Sequence, residues 1–273
     1  MTDGTARPLA GKVALVTGAG RGLGRAFAER LAAMGAAVAI HGMREHGPAE
    51  FGEGTTLTAV ADEIARDHGV RTLRLLGDLT RSEDVARVVE EAAGGLGPIG
   101  VLVHNAGGDI AARGGKPNPN DAIGIREEDV RAVLDRNLVS TILVCQAVGQ
   151  GMMARRAGRI VTIGSTAGSR ARANGSIYAV SKAAVAHYTR CLADQLRPFD
   201  VTANCLAPGE TRTGRFLATR KVEQGRLADS GTLDRVATID EVAQVVEFLV
   251  GPLGAFVSGQ VVRVDGGNQT WAA

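Results

Sequence analysis

Short runs of aliphatic and β-branched residues recur along the chain, at residues 12–17, 37–40, 72–76, 99–103, 159–163, 201–206 and 260–264. Runs this continuously apolar predict strands buried on both faces, as in a parallel sheet. After each of the first six, apolar residues return at helical spacing, as over 26–34 and 85–93. Strand and helix in alternation predict an α/β fold, a doubly wound parallel sheet of seven strands with helices on both faces. Three polar stretches interrupt the pattern. Residues 46–56 carry Gly47, Pro48, Gly52 and Gly54, and 107–125 contain Gly114, Gly115, Pro117 and Pro119. Loops longer than about 12 residues are usually functional or disordered. The third stretch, 210–238, follows the sixth strand and predicts a partly helical lid. No composition break and no fixed-period repeat divides the chain, so 1–273 reads as one domain.

Composition narrows the function classes. A chain of 273 residues leaves no room for several large modules. Apolar residues at 45% and charged residues at 22% fit a globular protein, not a disordered one. Lys plus Arg number 31 against 29 Asp plus Glu, a formal charge of +2, which gives no basic face for nucleic acid. Cys145, Cys191 and Cys205 are odd in number and far apart, against a disulfide framework or a C-x-x-C zinc site. Residues 1–8 lack the apolar core of a leader, and no run approaches a membrane span, so a cytoplasmic protein is expected. The departure is glycine: 37 residues, about twice the usual share of ~7%. Such an excess marks turns and close backbone approaches.

The first strand ends in Thr17-Gly18-Ala19-Gly20-Arg21-Gly22-Leu23-Gly24, and a helical pattern follows at once. Glycines there allow a tight turn and a close approach to a pyrophosphate, and the helix N-terminus offers N–H groups and a positive dipole end. A plain βα turn reads the same way. The spacing G-x-x-x-G-x-G is not a P-loop, since no Gly-Lys-Ser/Thr follows. Tyr178 and Lys182 stand at i and i+4, on one helix face. A free tyrosine has a pKa near ~10, and an adjacent ammonium favours its phenolate, which makes a proton donor and acceptor. Alone, the pair reads rather as an amphipathic residue beside a solvated lysine. Ser165, at the end of the fifth strand, is placed to donate a hydrogen bond to a carbonyl oxygen.

The order of these pieces is more specific than any one of them. The glycine turn, Asp78-Leu79 after the third strand, Asn105-Ala106-Gly107-Gly108 after the fourth, Ser165, Tyr178-x-x-x-Lys182 and Pro208-Gly209 follow in sequence. The chain thereby resembles the short-chain dehydrogenase/reductase family in its compact form, over essentially its whole length. The resemblance implies a Rossmann-type fold with Tyr178 as general acid/base and Lys182 holding the nicotinamide ribose. Ser165 then polarises the carbonyl, and Asn137 anchors a proton-relay water. It also implies that Gly18, Gly22 and Gly24 cradle the pyrophosphate with Leu23 beside them. Asp78 and Leu79 flank adenine, and Asn105, Ala106 and Gly107 lie along the adenine ribose. Pro208, Gly209, Thr211 and Thr213 flank the nicotinamide. Thr211 stands where the family's P-G-x-V/I-x-T has valine or isoleucine, which puts only local packing in doubt.

Cofactor choice is written at the end of the second strand, where an acidic residue suits NAD and a basic one a 2′-phosphate. Here Ile40-His41-Gly42-Met43-Arg44 has no carboxylate, and Arg21 adds a second cation. NADP(H) is the preferred reading and NAD(H) the alternative, in which both arginines are merely solvated. The expected activity is reduction of a small polar or cyclic ketone by hydride transfer. The alternatives are a 3-oxoacyl-carrier-protein or acyl-CoA reductase and, from another class, a non-catalytic dinucleotide sensor. Arg170, Arg172 and Asn174 line the substrate mouth or a solvated loop. The resemblance further implies a homotetramer, or a homodimer, through the helices around Asn137 and Tyr178 and the region of Asp265, Gly266 and Gly267. No metal site is expected from His41, His46, His68, His104 and His187, which lack paired spacing.

Overall fold

The computed structural model describes residues 7–270; residues 1–6 and 271–273, which hold most of the leader reading and both ends of the 1–273 span, lie outside them. Seven strands form one parallel sheet in the order β3-β2-β1-β4-β5-β6-β7. They are β1 (Val13–Thr17), β2 (Ala37–Gly42), β3 (Thr72–Leu76), β4 (Ile99–His104), β5 (Gly158–Ile163), β6 (Val201–Pro208) and β7 (Val261–Val264). Sequence periodicity places each within two residues of its observed ends. Between them run α1 (Gly22–Ala33), α2 (Leu57–His68), α3 (Ser82–Leu96), α4 (Glu127–Leu134), α5 (Ser140–Arg155), α6 (Ser176–Leu196), α7 (Gly214–Thr219) and α8 (Ile239–Val250).

The sheet is two-faced because side chains alternate along each strand. In β1, Ala14 and Val16 join the core beneath Phe27 and Leu31 of α1 and Val242 and Val246 of α8. Val13 and Leu15 join the opposite core with Val88 of α3, Val144 and Met152 of α5 and Leu192 of α6. Both layers exclude water from β1, whose every residue is buried. Helix ends follow local chemistry: Thr56 caps α2 by accepting the Ala59 N–H at 3.0 Å, and Gly69 closes it at φ +63°.

Two features depart from the periodicity. The 46–56 stretch contains a 3-10 turn, Gly47–Phe51, instead of a plain loop. A π-turn, Asp135–Val139, joins α4 to α5 without a break, giving a helix of 29 residues from Glu127 to Arg155. Length and composition alone would let that helix pass for a membrane span, as core helices of globular proteins also do. Its apolar face instead packs in the core through Val144, Cys145, Val148 and Met152.

Strand order reverses at β1 and β4, and in such sheets the crevice beyond the carboxyl ends there holds the ligand. Thr17, Gly42, Leu76, His104, Ile163 and Pro208 end the strands that floor it.

Candidate active site

Gly18 and Gly22 adopt φ of +63° and +53°, a region that L side chains rarely enter. A Cβ on Gly18 would sit 3.1 Å from the Ala106 Cα, and one on Gly24 would overlap the Gly18 carbonyl oxygen. The turn is therefore wound tightly against Asn105-Ala106, whose backbone closes it. Thr17 Oγ1 accepts from Asn105 N–H and Ala106 N–H at 3.0 Å each, so its own proton goes to His104 Nδ1 at 3.1 Å. His104 is buried and its pKa falls to about 3, chiefly through burial, so it is neutral there. This Thr17–His104 support is absent from the motif reading; its one signal is a polar residue ending each of two apolar strands.

Two cavities meet above the sheet. One, of about 570 Å³, is lined by Gly18, Arg21, Arg44, Asp78, Leu79 and Ala106. The other, of about 720 Å³, is lined by Leu23, Asn105, Ser165, Tyr178 and Lys182 and also by Pro208, Gly209, Thr211 and Thr213. Gly107, Lys116, Arg215 and Thr219 line both. Most of the residues singled out by sequence thus converge on one cleft. Gly22, Gly24 and Asn137 do not line it. Gly22 N–H donates to Glu53 Oε2 at 2.5 Å, Gly24 is spent on close packing, and Asn137 is buried.

The Asn137 amide donates to Gly108 O at 2.9 Å and Val133 O at 2.8 Å, while its Oδ1 accepts from Gly108 N–H at 3.0 Å. Its side chain therefore fixes the Gly107–Gly108 backbone. Thr213 caps α7 by accepting the Phe216 N–H at 3.1 Å. Thr211 bridges to Ala237, tying the start of the 210–238 segment to the residues just before α8. Arg172 and Asn174 line the larger cavity, whereas Arg170 is exposed and outside its wall.

At the end of β2, Arg21 donates to Glu50 at 2.8 Å and to Gly47 O at 3.1 Å, and stacks 4.6 Å over the Phe51 ring. Arg44 lies 3.7 Å from the same carboxylate with its side chain 74% exposed. Two cations therefore share the Glu50 carboxylate at this end of the cavity, which Asp78, Lys116, Arg136 and Arg215 also line. Glu50 comes from the 46–56 stretch, where no motif announces it.

Tyr178 partly faces the cleft, and Lys182 Nζ stands 5.7 Å from its ring centroid. Lys182 is buried and donates to Ile163 O at 2.8 Å; burial lowers its pKa to about 8. The expected depression of the tyrosine does not appear. Burial raises the Tyr178 pKa, and Asp109 adds to the rise, against downward pulls from Ser165, Arg215 and Arg172. With its proton aimed at a carbonyl, Lys182 is not among the largest influences on the phenol. Ser165 Oγ meanwhile accepts the Ala167 N–H at 3.1 Å, which fixes the hydroxyl beside the tyrosine.

The residues fit a nicotinamide dinucleotide: a glycine turn that a Cβ would block, an α1 N-terminus, and joined cavities on either side of it. No group of three or more metal-ligating side chains occurs among the described residues. The family model of short chain dehydrogenases matches residues 12–224. Cyclohexanol dehydrogenase of Rhodococcus sp. (strain TK6) is 41% identical, with 98% of each chain covered. The 3-oxoacyl-acyl-carrier-protein reductase FabG of Aquifex aeolicus (strain VF5) is 34% identical over 95% of this chain and 98% of its own. Among solved structures, 7α-hydroxysteroid dehydrogenase complexed with NADH and 7-oxo glycochenodeoxycholic acid superposes with TM-score 0.84. It is 29% identical, and 98% of each chain is covered.

Proposed function

Because the chain belongs to the short-chain dehydrogenase family, we propose that it reduces a small polar or cyclic ketone to a secondary alcohol with NADP(H), in one domain lidded by 210–238. The coarse activity follows from the family: an NAD(P)-dependent oxidoreductase acting on CH–OH or carbonyl groups. That excludes the non-catalytic sensor. The observation that carries the finer reading is the meeting of Ser165, Tyr178 and Lys182 on one wall of the larger cavity.

When bound, the nicotinamide supplies or takes the hydride at the substrate carbon. Tyr178, protonated at neutral pH, delivers its hydroxyl proton to the carbonyl oxygen as negative charge develops there. Ser165 donates a hydrogen bond to the same oxygen, which stabilises the transition state more than the ground state. Lys182 would hold the nicotinamide ribose and return a proton toward Tyr178. Asn137 fixes the Gly107–Gly108 backbone, along which the adenine ribose would lie. Gly18, Leu23 and the N–H groups of the α1 N-terminus beyond Gly22 would receive the diphosphate, and Asp78 and Leu79 would border the adenine. Pro208, Gly209, Thr211 and Thr213, which line the larger cavity, would hold the nicotinamide side.

NADP(H) is preferred over NAD(H) because two cations, Arg44 and Arg21, share the one Glu50 carboxylate between them. Fluorescence titration with NADPH and NADH tests this. Arg44→Ala should abolish a preference for NADPH, and Glu50→Gln should strengthen it. Tighter binding of NADH by the unaltered protein would contradict the choice.

Likeness to cyclohexanol dehydrogenase along the whole chain supports a cyclic ketone. Likeness to the carrier-protein reductase favours a second substrate, a 3-oxoacyl thioester. Turnover of cyclohexanone against a 3-oxoacyl thioester separates the two. The same reading takes the protein as a cytoplasmic homotetramer that binds neither nucleic acid nor membrane. Leu253 and Phe256, 85% and 104% exposed just before edge strand β7, support a covering copy.

A further inference from the structure

Helix α7 is tied across the cleft by one carboxylate. Glu53 accepts from Gly22 N–H, the first residue of α1, and from Gly214 N–H at 3.1 Å, the first residue of α7. The tie carries Arg215 inward. Its neighbours along the lid are ion-paired, Arg212 with Asp229 and Arg220 with Glu210. Arg215 has no carboxylate within ion-pair distance among the described residues. It is half-buried, and its hydrogen bond is a long one, from Nη2 to Asp109 O at 3.3 Å. A guanidinium carries five N–H donors, and a partly buried charge without a counterion is costly. Burial, chiefly, and the nearby Arg21 charge lower its pKa, against upward pulls from Tyr178, Glu50 and Asp109, none of whose side chains pairs with it directly.

Location distinguishes which anion is missing. Arg172 lines only the cavity that holds Ser165 and Tyr178, so an anionic substrate would meet it there. Arg215 lines both cavities and stands at their junction. A Cβ on Gly108 would sit 2.7 Å from its Nη1, so the guanidinium overhangs the Gly107–Gly108 loop. A dinucleotide spanning both cavities puts its diphosphate at that junction, opposite the α1 N-terminus.

We propose that Arg215 clamps the diphosphate of the bound dinucleotide, exchanging its bond to the Asp109 carbonyl for a charge-assisted pair that closes α7 over the cofactor. The clamp rests on the dinucleotide reading and adds to it a positioning residue outside the glycine turn. Charge-assisted bonds to phosphate are the stronger kind, and a guanidinium meets two phosphate oxygens at once.

Calorimetric titration with ADP-ribose, which has the diphosphate but no nicotinamide, and with adenosine, which has neither, tests the clamp. Arg215→Met should weaken ADP-ribose roughly 10- to 100-fold and leave adenosine within about twofold. Arg215→Lys should recover part of the loss. Thermal melting of ligand-free Arg215→Met should not fall below that of the unaltered protein, since an uncompensated charge has been removed. Unchanged ADP-ribose affinity, or equal weakening of adenosine, would overturn the clamp. If the unaltered protein bound neither ADP-ribose nor NADPH nor NADH, the dinucleotide reading itself would fall first.

Discussion

Tyr178 keeps its proton at neutral pH because burial outweighs the pull of Ser165, Arg215 and Arg172 on the phenol. Reduction needs that proton present, whereas alcohol oxidation needs it gone. The rate of oxidation should therefore climb with pH across the alkaline range while reduction does not climb with it. Profiles of kcat/KM in both directions check this, and an oxidation rate that is flat with pH would contradict it. Tyr178→Phe should lower turnover by ~10²–10⁴-fold, the usual worth of a positioned acid, with dinucleotide binding kept. Two buried histidines set a separate pH limit. His41 and His104 have pKa values lowered to about 4 and about 3, chiefly by burial. As pH falls below about 6.5 the unfolded chain takes up these protons first. Their contribution to stability is complete above about pH 6.5 and is lost as pH drops toward 4 and 3. Melting temperature should fall over that window, and less steeply in His41→Gln. At this scale Ser165, Tyr178 and Lys182 were legible because their types and spacing are themselves the chemistry. Arg215 and Glu53 were not, because nothing in 210–238 or 46–56 tells which side of a lid faces inward.

Elements were legible where burial is symmetrical. Apolar runs such as Val13–Thr17 have only one stable placement, between two helical layers. The π-turn Asp135–Val139 was invisible, because a one-residue widening of a helix changes neither composition nor apolar spacing enough to notice. It nonetheless sets Asn137 against Gly108, which links it to the site. The start of α8 is fixed by a capping box: Thr238 Oγ1 accepts from Glu241 N–H at 3.2 Å, and Glu241 Oε2 accepts from Thr238 N–H at 2.8 Å. Arg235, first, and the Thr238 N–H hold the Glu241 pKa down at about 2. Thr238→Ala should cost about 1 kcal/mol in denaturant unfolding, as cap removal does elsewhere. Because Thr211 bridges to Ala237, the same change should loosen the lid, seen as faster proteolysis between 210 and 238. A loss of stability without that cleavage would detach the cap from the lid.

Across the whole molecule, the sheet order puts glycine turn, proton donor and lid at one end of the strands, although they are far apart in sequence. The parallel sheet was foreseen from the alternation of elements and the gathering of these residues only from the family resemblance, while the course of 210–238 was not, since it lacks a readable period. The exposed Leu253 and Phe256 belong to this scale as well. Phe256→Asp should reduce a homotetramer to a smaller assembly in light scattering without unfolding it, and an unchanged mass would contradict an interface there. The account's central claim is that this cleft moves a hydride to a ketone with Tyr178 as the acid. The direct measurement is ketone-dependent oxidation of NADPH and NADH, followed at the nicotinamide absorbance with cyclohexanone, in unaltered and Tyr178→Phe protein. Turnover in the first and its near-complete loss in the second, with equal cofactor binding in both, is the predicted result. Equal turnover in the two proteins would contradict the account.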